Sequence, residues 1–189
     1  VDDAKITVDG QVVVADGAEG SNQFAMHGFE VSNGYKEAAH YYLLEWRNNQ
    51  GVDVGLGRIN RSGNIMNYDS GLVIWYVDDS MTDNWVGFHP GEGWIGVVDA
   101  DQTAVRWADG TAAETRYQIH DAAFGLRDTQ PMSLEFDDGT AIIDMDTKKN
   151  KAFHDSRSFI HADMPDAGRI IPNYGLKIKV VGENADQSI

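Results

Sequence analysis

Lys5-Ile6-Thr7-Val8-Asp9-Gly10-Gln11-Val12-Val13-Val14 sets the class of the fold. Two strand-forming runs flank Asp-Gly, a pair that accepts the positive φ of a two-residue hairpin turn and gives the strongest short-range hairpin signal a sequence offers. The same punctuation recurs at Asp16-Gly17, Asn33-Gly34, Asp109-Gly110 and Asp138-Gly139, with short β-rich runs beside it. Strands are expected at residues 40–46, 71–77, 94–98, 116–120, 132–136, 140–144 and 176–181. Helical periodicity is scarce. Residues 51–59 place Val52, Leu56 and Ile59 on one helical face, weakened by Gly51, Gly55 and Gly57. The fold class is therefore mainly β: antiparallel β-sandwich or jelly-roll-like strands with few short helices.

Composition narrows the partners. The 189 residues carry 30 Asp+Glu against 15 Lys+Arg, a formal net charge of −15. Hydrophobic residues make up 42%, with Trp 5, Tyr 7 and Phe 7, enough for a packed core and too much for a disordered acidic tail. The acid excess repels phosphate backbones and anionic lipid, so nucleic acid and acidic membrane surfaces are excluded as natural partners. Cysteine is absent, which rules out disulfides, thiolate-ligated zinc, iron–sulfur clusters and a Cys nucleophile. The longest apolar run, residues 71–77, is far short of the roughly 18 residues of a membrane span. Val1-Asp2-Asp3 is no signal peptide. Residues 17–23 are the nearest thing to a domain boundary, and residues 182–189 are polar and expected to fray.

None of the six histidines sits in an H-E-x-x-H, and neither a G-x-S-x-G elbow nor a G-x-x-x-x-G-K-[ST] loop occurs. Carboxylates are more informative. Asp79, Asp83, Glu92, Asp99 and Asp101 lie in a segment broken by Gly87, Gly91, Gly93 and Gly96. Loop oxygens gathered around tight turns suit calcium, which takes about 6–8 oxygen ligands in flexible geometry. The competing reading is a solvated acidic surface. Asp144-x-Asp146 begins like an EF-hand loop but meets Lys148 where the third ligand belongs, and fails that pattern. Among the aromatic residues, Trp75 lies in a run apolar on both faces and reads as core, whereas Trp85 and Phe88 fall in a loop. These two are the candidates for glycan or partner contact, against the alternative that they plug the end of a sandwich. A hydrolase built on a scattered acid pair would leave no local signature.

Longer strings carry a resemblance. His40-Tyr41-Tyr42-Leu43-Leu44-Glu45-Trp46-Arg47-Asn48, Gly71-Leu72-Val73-Ile74-Trp75-Tyr76-Val77-Asp78-Asp79-Ser80 and His89-Pro90-Gly91-Glu92-Gly93 are similar to the C-terminal region of immune inhibitor A-type bacterial metalloproteases. So are Gly96-Val97-Val98-Asp99-Ala100-Asp101, Arg116-Tyr117-Gln118-Ile119-His120-Asp121-Ala122-Ala123-Phe124 and Asp163-Met164-Pro165-Asp166-Ala167-Gly168-Arg169. The opening hairpin resembles the final strands of the jelly-roll module that precedes this region in the family. The resemblance implies a division into residues 1–39, closing that module, and residues 40–189, a β-rich C-terminal domain. It also implies a structural calcium at Asp2 or Asp3. The family's zinc and its H-E-x-x-H-x-x-G-x-x-H motif belong to an upstream catalytic domain, so this chain is expected to be a non-catalytic piece of a longer secreted protease. Its implied partners are that catalytic domain and the protein substrates of the protease. A carbohydrate-binding β-sandwich module is the alternative.

Overall fold

The computed structural model of the chain describes residues 5–8, 11–14, 29–31 and 40–184. Asp2, Asp3, the turn pairs Asp9-Gly10, Asp16-Gly17 and Asn33-Gly34, residues 17–23 and residues 185–189 lie outside them.

Antiparallel strands dominate, as the turn chemistry requires. β1 (Lys5–Val8) and β2 (Gln11–Val14) form the opening hairpin, in the register Lys5↔Val14 to Val8↔Gln11. The free side of β1 pairs with a strand from the far end of the chain. That strand, Lys177–Val180, is β12, and its other neighbour is β11 (Ala152–His154). The first sheet is thus ordered β11-β12-β1-β2. A second sheet runs β3-β4-β7-β8, from Phe29–Val31, His40–Arg47, Gly71–Asp78 and Ile95–Val98. Two small hairpins complete the strands: β5 (Ile59–Arg61) with β6 (Asn64–Met66), and β9 (Met132–Glu135) with β10 (Ala141–Asp144).

The burial pattern explains why β7 is central. Gly71 through Ile74 are buried in succession, so the strand is covered on both faces, as its unbroken apolar run demands. Gly71 opens it at φ 140°, where a Cβ would lie 2.7 Å from the carbonyl oxygen of Phe124. Phe124 and Leu72 exchange backbone bonds of 2.8 Å in each direction across that contact, which leaves no room for a side chain. β4 alternates instead: Tyr42, Leu44 and Trp46 face inward. Their cluster includes Ile74, Tyr76 and Val98 from the second sheet and Phe153, Ile178 and Val180 from the first. Phe153 joins the two sheets, with its ring 5.2 Å from Tyr42, 6.0 Å from Phe124 and 5.4 Å from Phe159. A second apolar cluster gathers Met66, Tyr117, Leu134, Ile142 and Met164 around the β9–β10 hairpin.

Two sequence expectations change. Residues 116–120 are helical, with α1 (Thr115–Gln118) passing into a 3-10 turn at Ile119–Asp121. Five alternating residues are too few to separate the two periods, and here the helical turn buries Tyr117, Gln118, His120 and Asp121 together. The 3-10 helix Gly51–Gly57 sits where a short helix was read, yet Val52 is exposed and its buried residue is Asp53. The apolar face assumed there is not what docks it. The β5–β6 hairpin and β11 carry no strong sequence signal.

Candidate metal centre and exposed aromatic loop

Three ends of structure converge on a group of buried carboxylates. Asp99 and Asp101 follow the last residue of β8, Asp144 is the last residue of β10, and His120-Asp121 form the 3-10 turn after α1. Asp69, before β7, is also buried. In Asp99, Asp101 and Asp144 one oxygen is spent on the local backbone. Oδ1 of each accepts from the amide two residues on: Asp101 N at 3.2 Å, Thr103 N at 2.9 Å and Asp146 N at 3.0 Å.

In Asp99 and Asp144 the opposite oxygen meets long-range donors. Asp99 Oδ2 accepts from Gln118 Nε2 at 2.9 Å and His161 Nε2 at 3.1 Å, and Asp144 Oδ2 accepts from His120 Nε2 at 2.9 Å. Gln118 also donates to Thr103 O at 3.0 Å and accepts from Val105 N at 2.8 Å, which locks the 99–105 loop over α1. Lys148 Nζ reaches Asp101 Oδ1 at 3.3 Å and shares its charge with Asp146.

Within this group, Asp101 Oδ2 and Asp121 Oδ1 are buried and have no hydrogen-bond partner among the described residues. Their residues are 1% and 2% exposed. Burial, then the neighbouring carboxylates of Asp99, Asp101, Asp144 and Asp69, pushes the Asp121 carboxyl up to about 9. Burial also raises Asp99 against the pull of its His161 and Gln118 bonds, and raises Asp69. At Asp144 burial is outweighed by the bonds from His120 and the Asp146 amide, and the carboxyl is held below its usual value. One ligand atom each from His120, Asp121 and Asp144 lies within 4.8 Å of the others. With oxygen donors from several carboxylates and no thiolate, the donor set is that of a hard cation.

The carboxylates singled out from the sequence divide into two groups. Asp99 and Asp101 enter this centre. Asp79, Asp83 and Glu92 are exposed, on and beside the loop that carries Trp85 and Phe88. Asp79 accepts from Trp94 Nε1 at 3.1 Å. Asp83 Oδ1 accepts from Trp85 N at 2.8 Å and His89 Nε2 at 2.9 Å, which hold its carboxyl below the usual range. The Glu92 backbone carbonyl accepts from Arg169 Nη1 at 3.1 Å. Asp121, His120 and Asp144 were not singled out from the sequence as ligands. The signal for Asp144 was the Asp144-x-Asp146 pair, rejected against an EF-hand pattern it does not need to satisfy, because its companions come from elsewhere in the chain.

Trp85 and Phe88 are 66% and 81% exposed and stack on each other at 5.5 Å with an interplanar angle of 27°. Trp75, read as core, is half-buried: its Nε1 donates to Glu45 Oε2 at 2.8 Å and the Arg47 guanidinium lies 5.6 Å from its ring centroid.

The family model for the VEG domain of immune inhibitor A-like metallopeptidases matches residues 35–189. This chain belongs to that family. The chain is 46% identical over 187 residues to the pre-pro-metalloprotease PrtV of Vibrio cholerae serotype O1, covering 98% of this chain and 20% of that protein. It is 41% identical over 193 residues to immune inhibitor A of Bacillus thuringiensis subsp. alesti, covering 100% of this chain and 27% of that protein. The chain therefore spans about a fifth to a quarter of the length of these curated relatives. No described helix is long and apolar enough to cross a membrane.

Proposed function

We propose that this VEG domain is the non-catalytic accessory region of a secreted immune inhibitor A-like metalloprotease, supporting and docking on its catalytic domain and stabilised by calcium. The observation that carries the reading is the pairing of family and extent. Both relatives are metalloproteases, the chain matches only 20% and 27% of them, and its sequence holds no H-E-x-x-H. A stacked Trp85–Phe88 pair this exposed is the kind of apolar anchor that protein interfaces bury, and we assign it to the catalytic-domain contact. The extracellular setting provides calcium and tolerates a Cys-free acidic chain.

The test uses the 189-residue chain with a separately produced catalytic domain of such a protease. The chain alone is expected to hydrolyse no casein with or without zinc, and to bind the catalytic domain with an affinity that falls at least tenfold in Trp85→Ala/Phe88→Ala. Metal-dependent hydrolysis by this chain alone would falsify the accessory role. The same aromatic pair supports a second reading, stacking on sugar rings. Glycan-array binding lost in Trp85→Ala, with the catalytic domain ignored, would favour that module.

A further inference from the structure

We propose that Asp99, Asp101, Asp121 and Asp144 bind one calcium ion in the interior of the domain, with Asp121 Oδ1 and Asp101 Oδ2 as the ligand atoms left open for it. This deepens the calcium part of the proposed function by naming its ligands, and it moves the ion away from the exposed loop acids Asp79, Asp83 and Glu92.

Unpaired carboxylates are rarely fully buried, because removing an ion from water costs several kcal/mol unless another charge or a set of hydrogen bonds compensates it. Here four Asp residues are buried in one neighbourhood, each within reach of Asp121 electrostatically or next to it in the group. Lys148 contacts Asp101 but is also committed to Asp146. His120 and His161 each supply one N–H donor. A dication is the compensation this arrangement lacks.

Asp99, Asp101 and Asp144 are each held by two or more donors, from an amide two residues on and from Gln118, His161, His120 or Lys148. Metal-ligating carboxylates are oriented in this way by a surrounding shell of hydrogen bonds. Asp121 Oδ1 and Asp101 Oδ2 are buried yet meet no donor among the described residues, although buried polar atoms are paired in the great majority of cases. An ion reached by both atoms would satisfy both.

The Nε2 atoms of His120 and His161 donate to Asp144 and Asp99, which leaves at most Nδ1 of each ring for a metal. Zinc finds no thiolate here, and the oxygen-rich donor set suits a hard cation better. Magnesium demands near-ideal octahedral geometry and keeps several waters, which a centre with 1% and 2% exposed ligands does not favour. Calcium accepts many oxygens in irregular geometry.

The experiment is a thermal melt of the full 189-residue chain, first chelated and then titrated with calcium, with magnesium and zinc as parallel arms, and calorimetric titration for stoichiometry. Calcium at 100 times its Kd is expected to raise the midpoint by about 5–10 °C, with one ion bound. Asp121→Asn, which keeps the side chain's shape without a carboxylate ligand, should melt close to the chelated parent and lose the calcium shift; this excludes misfolding as the reason for the loss. Asp83→Asn should keep the full shift. No calcium shift in the parent chain overturns both this site and the calcium part of the proposed function. A calcium shift that survives in Asp121→Asn but disappears in Asp83→Asn overturns this site alone and returns the ion to the loop. An equal rise with magnesium reports charge screening, and a rise with zinc only reports a different metal; either overturns the assignment.

Discussion

Replacing Phe153 with Ala tests whether one ring holds the two larger sheets together. Phe153 is fully buried in β11, paired across the ladder with Ile178. It packs on Tyr42 of β4 as well as on Phe124 and Phe159. Truncating a buried Phe to Ala removes its transfer free energy and leaves a cavity, at a cost of about 3–5 kcal/mol. Three ring contacts place this site at the upper end, since each aromatic pair contributes about 0.5–1.5 kcal/mol beyond area burial. We therefore expect about 4–5 kcal/mol, against a total domain stability of about 5–15 kcal/mol. In urea, with a slope of about 2 kcal/mol/M, the midpoint falls by roughly 2 M at unchanged slope. Phe153→Leu, which keeps most of the volume, should cost less than half as much. Phe88→Ala, at an exposed ring, should move the midpoint by less than about 0.5 kcal/mol. A loss below about 2 kcal/mol for Phe153→Ala would show that the surrounding rings close the cavity freely, and that the two sheets are held by their other contacts.

Two further tests address other parts of the fold. Gly71→Ala should cost about 2–4 kcal/mol in the same assay, because the residue needs φ 140° and its new methyl would lie 2.7 Å from the Phe124 carbonyl; an unchanged midpoint would mean that this contact is not tight. Burial, and for Tyr42 the nearby Asp155 and for Tyr76 the nearby Asp78, raises both phenols above their ordinary value. The folded state then keeps protons that the unfolded chain releases near pH 10. This stabilisation is fully present below pH 10, and stability falls above it by about 1.4 kcal/mol per pH unit for each phenol. Tyrosinate absorbance from these two residues should emerge with unfolding; Tyr42→Phe should remove one of the late-ionising groups, and an early, unfolding-independent rise from both would contradict their burial.

Turn chemistry and strand pattern were legible because both are local. Asp138-Gly139 lies in the loop of the β9–β10 hairpin, which is longer than a two-residue turn; Gly139 takes the positive φ, 82°, and Thr140 N bonds Asp138 Oδ1 at 2.9 Å. The unbroken apolar run in β7 announced a strand covered on both faces. Residues 116–120 were misread because a five-residue alternation fits one turn of helix as well as a strand, and the choice is made by what Gln118 and His120 reach once folded. The same distance from local information limited the site. Asp99-x-Asp101 was visible as a loop pair in an acidic segment, but nothing in the spacing joined it to Asp121 and Asp144.

The sequence by itself determined a mainly antiparallel β chain without cysteine and with a net charge of −15, and carried the family resemblance. Those properties follow from composition, two-residue turns and continuous strings, all of which survive without a fold. Only the tertiary structure decided which of the described acidic residues lose their water. Asp83 keeps its solvent on the aromatic loop, whereas Asp101 and Asp121 are enclosed where β8, β10 and the turn after α1 end together. A carboxylate's chemistry depends on its dielectric surroundings and neighbouring charges, and those are set by long-range packing that spacing along the chain does not encode.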